Sequence, residues 1–336
     1  MSLSAAARLA CRFASLILAL LLAGCAASPP WPSTVSGNNS ALLQQRVLLD
    51  KVPFYPQERY QCGPASLAMM LNSQGLNTNP GALKDSVYIP GREGSLQVEM
   101  VAASRAHDML VYPLDKRLES LLEEVAAGHP VLVMQNLFFD WWPQWHFAVV
   151  IGFDGQKQTL ILNTDTREHY ETSVSVFSAT WARADNWAVV ILPPDQLPAT
   201  ALPLTFLASA SDLEATGHAR AAMIAYKTAE KRWPDQPAAL LGQGNIAYAN
   251  RHLQQAADSF FHMVTRFPEV AGGWNNLAHT LNELGCADKA LEAQRCAASL
   301  APEQFGQHLD AASPALPEPT SCRALPNCPA QLNPQQ

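Results

Sequence analysis

Apolar residues in the first half of the chain change their spacing partway along. Behind Cys62, the stretch Ala65-Ser66-Leu67-Ala68-Met69-Met70-Leu71 is an unbroken run of helix formers. It stops where Ser, Gly and Asn cluster between Asn72 and Asn77, which predicts one helix and its end. Leu96, Met100, Val101 and Ala103 follow Ser95, a residue suited to capping a second helix. Leu118, Leu121, Leu122 and Val125 predict a third, closed by Gly128. After Gly128 the apolar runs become short. Val131 to Met134, His146 to Ile151, Thr159 to Leu162 and Trp187 to Leu192 have strand length. Asp154-Gly155 predicts a hairpin between the second and third of them. Helices first and an antiparallel sheet afterwards is an α+β order, expected over residues 51–193.

The second half repeats. Pro234, Pro268 and Pro302 are spaced by 34, as are Ala222, Ala256 and Ala290, while Phe206, Leu240 and Trp274 fill one apolar column and Tyr226 aligns with Phe260. A period of 34 with alanine at the middle and proline at the end resembles the tetratricopeptide repeat. The resemblance implies three helix pairs over 203–304, stacked into an all-α solenoid whose concave face would take a protein partner. Proline-rich residues 194–202 are expected to link the halves, and 305–336, dense in Ala, Pro, Gln and Glu, to form a tail.

With 336 residues there is room for two domains, each with its own core. A net charge of -7 leaves no basic footprint for nucleic acid. The N-terminus bears on the compartment. Arg8 and Arg12 precede an apolar stretch from Phe13 to Leu22, short for a membrane span, which ends in Leu22-Ala23-Gly24-Cys25. That ending resembles a bacterial lipobox. It implies a signal peptide over 1–24, lipid on Cys25, a tether over 25–50, and, with Ala26 rather than aspartate next, an outer-membrane anchor facing the periplasm. An oxidising compartment gives Cys286, Cys296, Cys322 and Cys328 a disulfide role, with three pairings open. Cys286 and Cys296, ten residues apart on one predicted helix, would lie about 15 Å apart, too far to bond to each other. Pairing each with one tail cysteine would staple the tail along the last helix. No ligand set suggests a metal or other cofactor.

The remaining cysteine carries the candidate chemistry. Cys62 opens the first predicted helix, where the helix dipole favours a thiolate, and Gly63 lets a substrate backbone approach. His146 heads an apolar strand and can serve as the base. Its tautomer needs a third group, for which Asn163 or Asp165, at the end of the next strand, is placed. His129 and His169 are the competing histidines. Gln57 and Gln61 stand shortly before Cys62. Phe138, Phe139, Trp141, Trp142 and Trp145 crowd the segment before His146, and Trp142 and Trp145 are expected to line a substrate groove.

These motifs, Gln57-x4-Cys62-Gly63-Pro64-Ala65, His146-Phe147-Ala148-Val149-Val150-Ile151-Gly152 and the Asn163 strand end, resemble papain-like cysteine peptidases of the bacteriocin-processing family. Phe177-x3-Trp181 is similar to a short aromatic helix that often follows in that family. The resemblance covers Val52 to Leu192 and implies a papain-like fold, a Cys62–His146 pair with Asn163 or Asp165 behind it, an oxyanion donor from Gln57, with Gln61 as competitor, worth about 3 kcal/mol of barrier, and a peptide or protein substrate. A non-catalytic peptide-binding scaffold and a cell-wall peptide amidase are the alternatives.

Overall fold

The computed structural model describes residues 31–32, 40–57, 61–306 and 322–329. Cys25 and the apolar segment before it lie outside the described residues. Among those described, no helix is long and apolar enough to cross a membrane.

A seven-stranded antiparallel sheet organises the first half. Its strands are β1 (Arg46–Leu48), β2 (Leu110–Pro113), β3 (Val131–Asn136), β4 (Trp145–Asp154), β5 (Thr159–Thr164), β6 (Arg167–Ser173) and β7 (Ala188–Leu192). They lie in the order β2-β7-β3-β4-β5-β6, while β1 pairs with the far end of β4. Helices α1 (Cys62–Ser73), α2 (Pro80–Val87) and α3 (Gln97–Ala106) cover one face, and α4 (Leu118–Ala126) and α5 (Val174–Ala182) the other. Alternation along β4 serves both faces: Phe147, Val149 and Ile151 face α1, while Ala148 and Val150 face α4 and α5. Burial on both sides is why β4 reads as a continuous apolar run. A bulge between Val150 and Gly152 adds one residue to β4 and turns Phe153 to the α4 face.

The second half is three helix pairs: α6 (Pro203–Ala215) with α7 (Ala219–Arg232), α8 (Pro237–Ala249) with α9 (Leu253–Arg266), and α10 (Ala271–Glu283) with α11 (Ala287–Leu300). The repeat columns are core positions, with Phe206, Leu240, Trp274, Ala222, Ala256 and Ala290 all buried. Two glycines of α8 let helices meet closely, since a Cβ on Gly242 would lie 2.3 Å from the Tyr226 ring and one on Gly244 2.3 Å from the Phe260 ring. The disulfides Cys286–Cys322 and Cys296–Cys328 tie residues 322–329 to the last helix pair, as the staple reading expected.

Several expectations are corrected. The two halves do not bury separate cores, because one cluster runs from Leu110, Tyr112 and Leu118 into Phe206, Ala210 and Tyr226 of the first repeat. Residues 194–202 are an ordered strap rather than a loose linker: the buried Glu124 carboxylate accepts hydrogen bonds from the Thr200 N–H at 2.8 Å, the Thr200 hydroxyl at 2.6 Å and the Ala199 N–H at 3.1 Å. Residues 40–50 are not tether, since Leu43 is fully buried and β1 joins the sheet. Ser95 does not cap α3, whose N-cap is Leu96. Its hydroxyl is instead buried without a partner beside Gly63.

Candidate active site

Cys62 is the first residue of α1, and among the described cysteines it alone is free of a disulfide. Gln61, at the N-cap, makes no side-chain capping bond to α1. α1 is locked by its own burial, every residue from Gly63 to Leu71 being buried. Gly63 is required, because a Cβ there would lie 2.1 Å from Ser95 Oγ. The thiol is held above its ordinary value, first by desolvation, with the backbones of Phe147, Gly63 and Cys62 itself pulling the other way. Burial thus works against the thiolate that a helix start favours.

Phe147 is where the site converges. Gln57 is buried, and its Nε2 donates to Ser66 Oγ and to the Phe147 carbonyl, both at 3.4 Å. Ser66, one turn along α1 from Cys62, donates to the same carbonyl at 3.2 Å. The Gln57 backbone N–H donates to the Asp165 carbonyl at 2.9 Å, which fixes the segment before Cys62 against the end of β5. Cys62, Gln57 and Ser66 thus meet at the Phe147 backbone, whereas the His146 ring, like Ala148, faces α4 and α5 on the other side of the sheet.

His146 Nε2 lies 2.7 Å from Thr164 Oγ1. Among the described residues no other hydrogen bond to the ring is seen and none joins His146 to Cys62, which lies on the opposite face of the sheet. Burial lowers the imidazole from 6.5 to about 4, against the raising effect of the Asp165 charge and with a further lowering from Arg167. Burial thus favours the neutral form of both the imidazole and the thiol. The ring lines a cavity of about 230 Å³ with Gln135, Gln144, Asp165, Tyr170 and Phe177.

Among the described residues, neither Asn163 nor Asp165 hydrogen-bonds the His146 ring. Asn163 is fully buried, and its Oδ1 accepts the His169 N–H at 3.1 Å. It pairs with Val149 in register, a position facing away from the His146 side of the sheet. Asp165 acts on His146 by charge alone. Thr164 makes the contact, and sequence reasoning passed over it because a threonine beside asparagine and aspartate draws no attention. Of the competing histidines, His129 is engaged by Glu124 at 2.7 Å and His169 lies on β6.

The aromatic segment divides. Trp145 lines a groove of about 570 Å³ with Ser95, Leu96, Met134 and Trp187, on the α1 face near Gly63. Trp142 is not part of that groove. With Phe138, Phe139 and Trp141 it forms an exposed ring cluster, in which Phe139 and Trp141 stack at 5.4 Å. The cluster is rigidly supported, since Asn136 Oδ1 accepts the N–H groups of Phe138 at 3.1 Å and Gln144 at 2.9 Å.

The Peptidase_C39 like family matches over residues 49–189. No curated protein matches the chain. Among the solved structures that match is a C39-like peptidase from Bacillus anthracis, with TM-score 0.38 and 18% identity, covering 44% of this chain and 98% of that one. The family match supports a papain-like cysteine peptidase domain over that span.

Proposed function

We propose that residues 51–193 hydrolyse peptide bonds with Cys62 as nucleophile and His146 as general base. In this reading the chain is lipid-anchored at Cys25 in the bacterial cell envelope, facing the periplasm, and its repeats are of the tetratricopeptide kind and hold a protein partner or the substrate. The single observation that carries the peptidase reading is the convergence of Cys62, Gln57 and Ser66 on the backbone of Phe147, the residue after His146.

Chemistry follows from the protonation states. In the proposed step the imidazole turns from the α5 face toward α1, and its Nδ1 takes the thiol proton as sulfur attacks the substrate carbonyl, so charge separates during attack rather than beforehand. The Cys62 N–H, freed at the helix start, and Gln57 Nε2 are the donors for the oxyanion. Nδ1–H then protonates the departing amine nitrogen as the C–N bond breaks, leaving a thioester on Cys62. Water, deprotonated by the same Nδ1, cleaves the thioester and restores the thiol. The groove at Trp145 and Trp187 takes the peptide's apolar side chains.

A second reading, a non-catalytic peptide-binding module, is favoured by the absence of a Cys62–His146 hydrogen bond and by the neutral resting pair. Comparing periplasmic N-termini from cells carrying the native chain and Cys62→Ala separates the two. New N-termini that disappear in the variant support the peptidase. Identical sets would sink it.

A further inference from the structure

We propose that the ring cluster of Phe138, Phe139, Trp141 and Trp142 is a membrane-docking loop that seats in the interfacial region of a phospholipid bilayer. The proposal rests on the lipid-anchor reading for where the bilayer lies, and it is independent of the peptidase reading.

The connection between β3 and β4 presents its rings outward. Trp141 is 77% and Trp142 65% exposed, and Leu137, Phe138 and Phe139 beside them are exposed as well. The rings pack on one another, Phe138 on Phe139 at 4.6 Å and on Trp142 at 6.3 Å, and Trp141 on Trp142 at 6.1 Å. A contiguous apolar patch of this kind marks a surface that meets another phase or partner. The backbone beneath it is already fixed. The Leu137 N–H donates to the Gln144 carbonyl at 2.9 Å and the Trp142 N–H to the Phe139 carbonyl at 3.1 Å, over the buried Asn136. Docking therefore needs little further ordering of the loop.

Composition points to lipid. Tryptophan and phenylalanine favour the boundary between headgroups and acyl chains, where the apolar ring is buried and the indole N–H keeps a polar partner. From Leu137 to Pro143 the one charged residue is Asp140, which holds the loop to interfacial depth. Arg183 Nε donates to the Asn136 carbonyl at 3.1 Å and sets a cation at the loop's base, where headgroup phosphates would lie.

The length of chain before the fold places the bilayer within reach. Five residues, Ala26 to Pro30, separate Cys25 from Trp31. Trp31 is fixed to the sheet, its Nε1 donating to the Leu43 carbonyl at 3.1 Å and its ring 6.0 Å from that of Phe153. Such a span reaches at most about 20 Å, so a lipid on Cys25 keeps the fold at the bilayer. Phe153 lies eight residues along β4 from Trp145, about 27 Å at strand rise. Anchor and loop thus hold the two ends of β4, and the strand lies along the membrane surface.

The test uses the chain from Ala26 onward, which keeps every described residue and carries no lipid. Vesicles of phosphatidylethanolamine with phosphatidylglycerol, and vesicles of phosphatidylcholine, are the probes. Flotation gives the partition coefficient, and quenching of tryptophan emission by phospholipids brominated on their acyl chains reports insertion. The native chain is expected to float with both vesicle types, within about threefold of each other, and to be quenched. Phe139→Ser with Trp141→Ser should lower partitioning by roughly tenfold or more. Phe138→Ser with Phe139→Ser should lose the quenching although every tryptophan remains. Trp141→Phe with Trp142→Phe should stay within about fivefold of native. These side chains are exposed, so thermal unfolding of each variant should match native. A native chain that floats with neither vesicle type overturns the proposal, as does one whose binding survives the serine changes. Binding to the anionic vesicles alone, abolished by salt, also overturns it, since charge and not the rings would then hold the chain. So does a native dimer in ultracentrifugation that the serine changes make monomeric, with no quenching by lipid. Mass spectrometry of Cys25 from cell envelopes tests the anchor separately: an unmodified cysteine removes the anchor reading, whereas vesicle binding reads the loop by itself.

Discussion

At Cys62 and His146, desolvation is the largest influence, and it pushes both toward neutrality. This has a consequence for stability. In the unfolded chain His146 takes a proton near 6.5, whereas in the folded chain it resists until about 4. Between those values the unfolded state binds more protons, so stability is fully present above 6.5 and falls as pH drops toward 4. The loss is at most about 3 kcal/mol, reduced by screening because the ring is only partly buried. Urea unfolding at pH 7.5 and pH 5 should show it, and His146→Gln should flatten the difference. An equal pH dependence in that variant would assign the loss elsewhere. For the thiol, raised by burial, alkylation of native protein should remain slow at neutral pH and climb at pH values above those of a free cysteine, about 8.5. Fast alkylation at pH 6 would contradict a neutral resting sulfur.

Elements position these residues through two close fits. Gly63 and Ser95 hold α1 against the loop leading into α3, with Met100 Sδ next to the missing Cβ. Gly63→Ala should cost about 1–3 kcal/mol by overpacking and disturb Cys62, while Gly63→Ala with Ser95→Gly should recover part of the loss, since the clash is with the serine side chain. Thermal unfolding of the single and double variants measures this coupling. Additive losses would mean that the glycine is needed for another reason. The second fit is Glu124, fully buried on α4, which holds both the strap 194–202 and His129. Glu124→Ala strands several donors at about 1–3 kcal/mol each and should be among the most destabilising single changes in the chain, read as a lowered urea midpoint.

For the whole molecule, the shared core matters more than the linker. The sheet face carrying Leu110, Tyr112 and Val190 is covered partly by Phe206, Leu207 and Ala210 of α6. A chain ending at residue 193 would uncover these residues, each worth about 1.5–3 kcal/mol when buried. The isolated first half should therefore unfold at lower temperature than the full chain and bind apolar dyes; equal stability would show that the halves are energetically separate. At the other end, removal of Cys322 and Cys328 by Ser substitution should cost about 2–4 kcal/mol for each closed loop, felt in the repeats before the sheet.

Much of this was legible in the chain itself. Helix runs, strand runs, the 34-residue period and the cysteine at a helix start are local patterns, written by side-chain volume and polarity within a few residues of one another. The C39-like character of residues 49–189 and the helical repeats follow from such patterns. β2 and β6 escaped notice because they are short or polar, with Arg167, Glu168 and His169 in β6, and gain their strand character from the neighbours they pair with. Only tertiary structure decided the rest. The bulge in β4 sets which face each later residue joins, and a shift of one residue exchanges the faces. The contact of His146 with Thr164, the desolvation of Cys62 and the core cluster shared by the sheet and the first repeat depend on groups far apart in sequence. Desolvation and hydrogen-bond geometry are properties of assembled surroundings, and no local pattern encodes them.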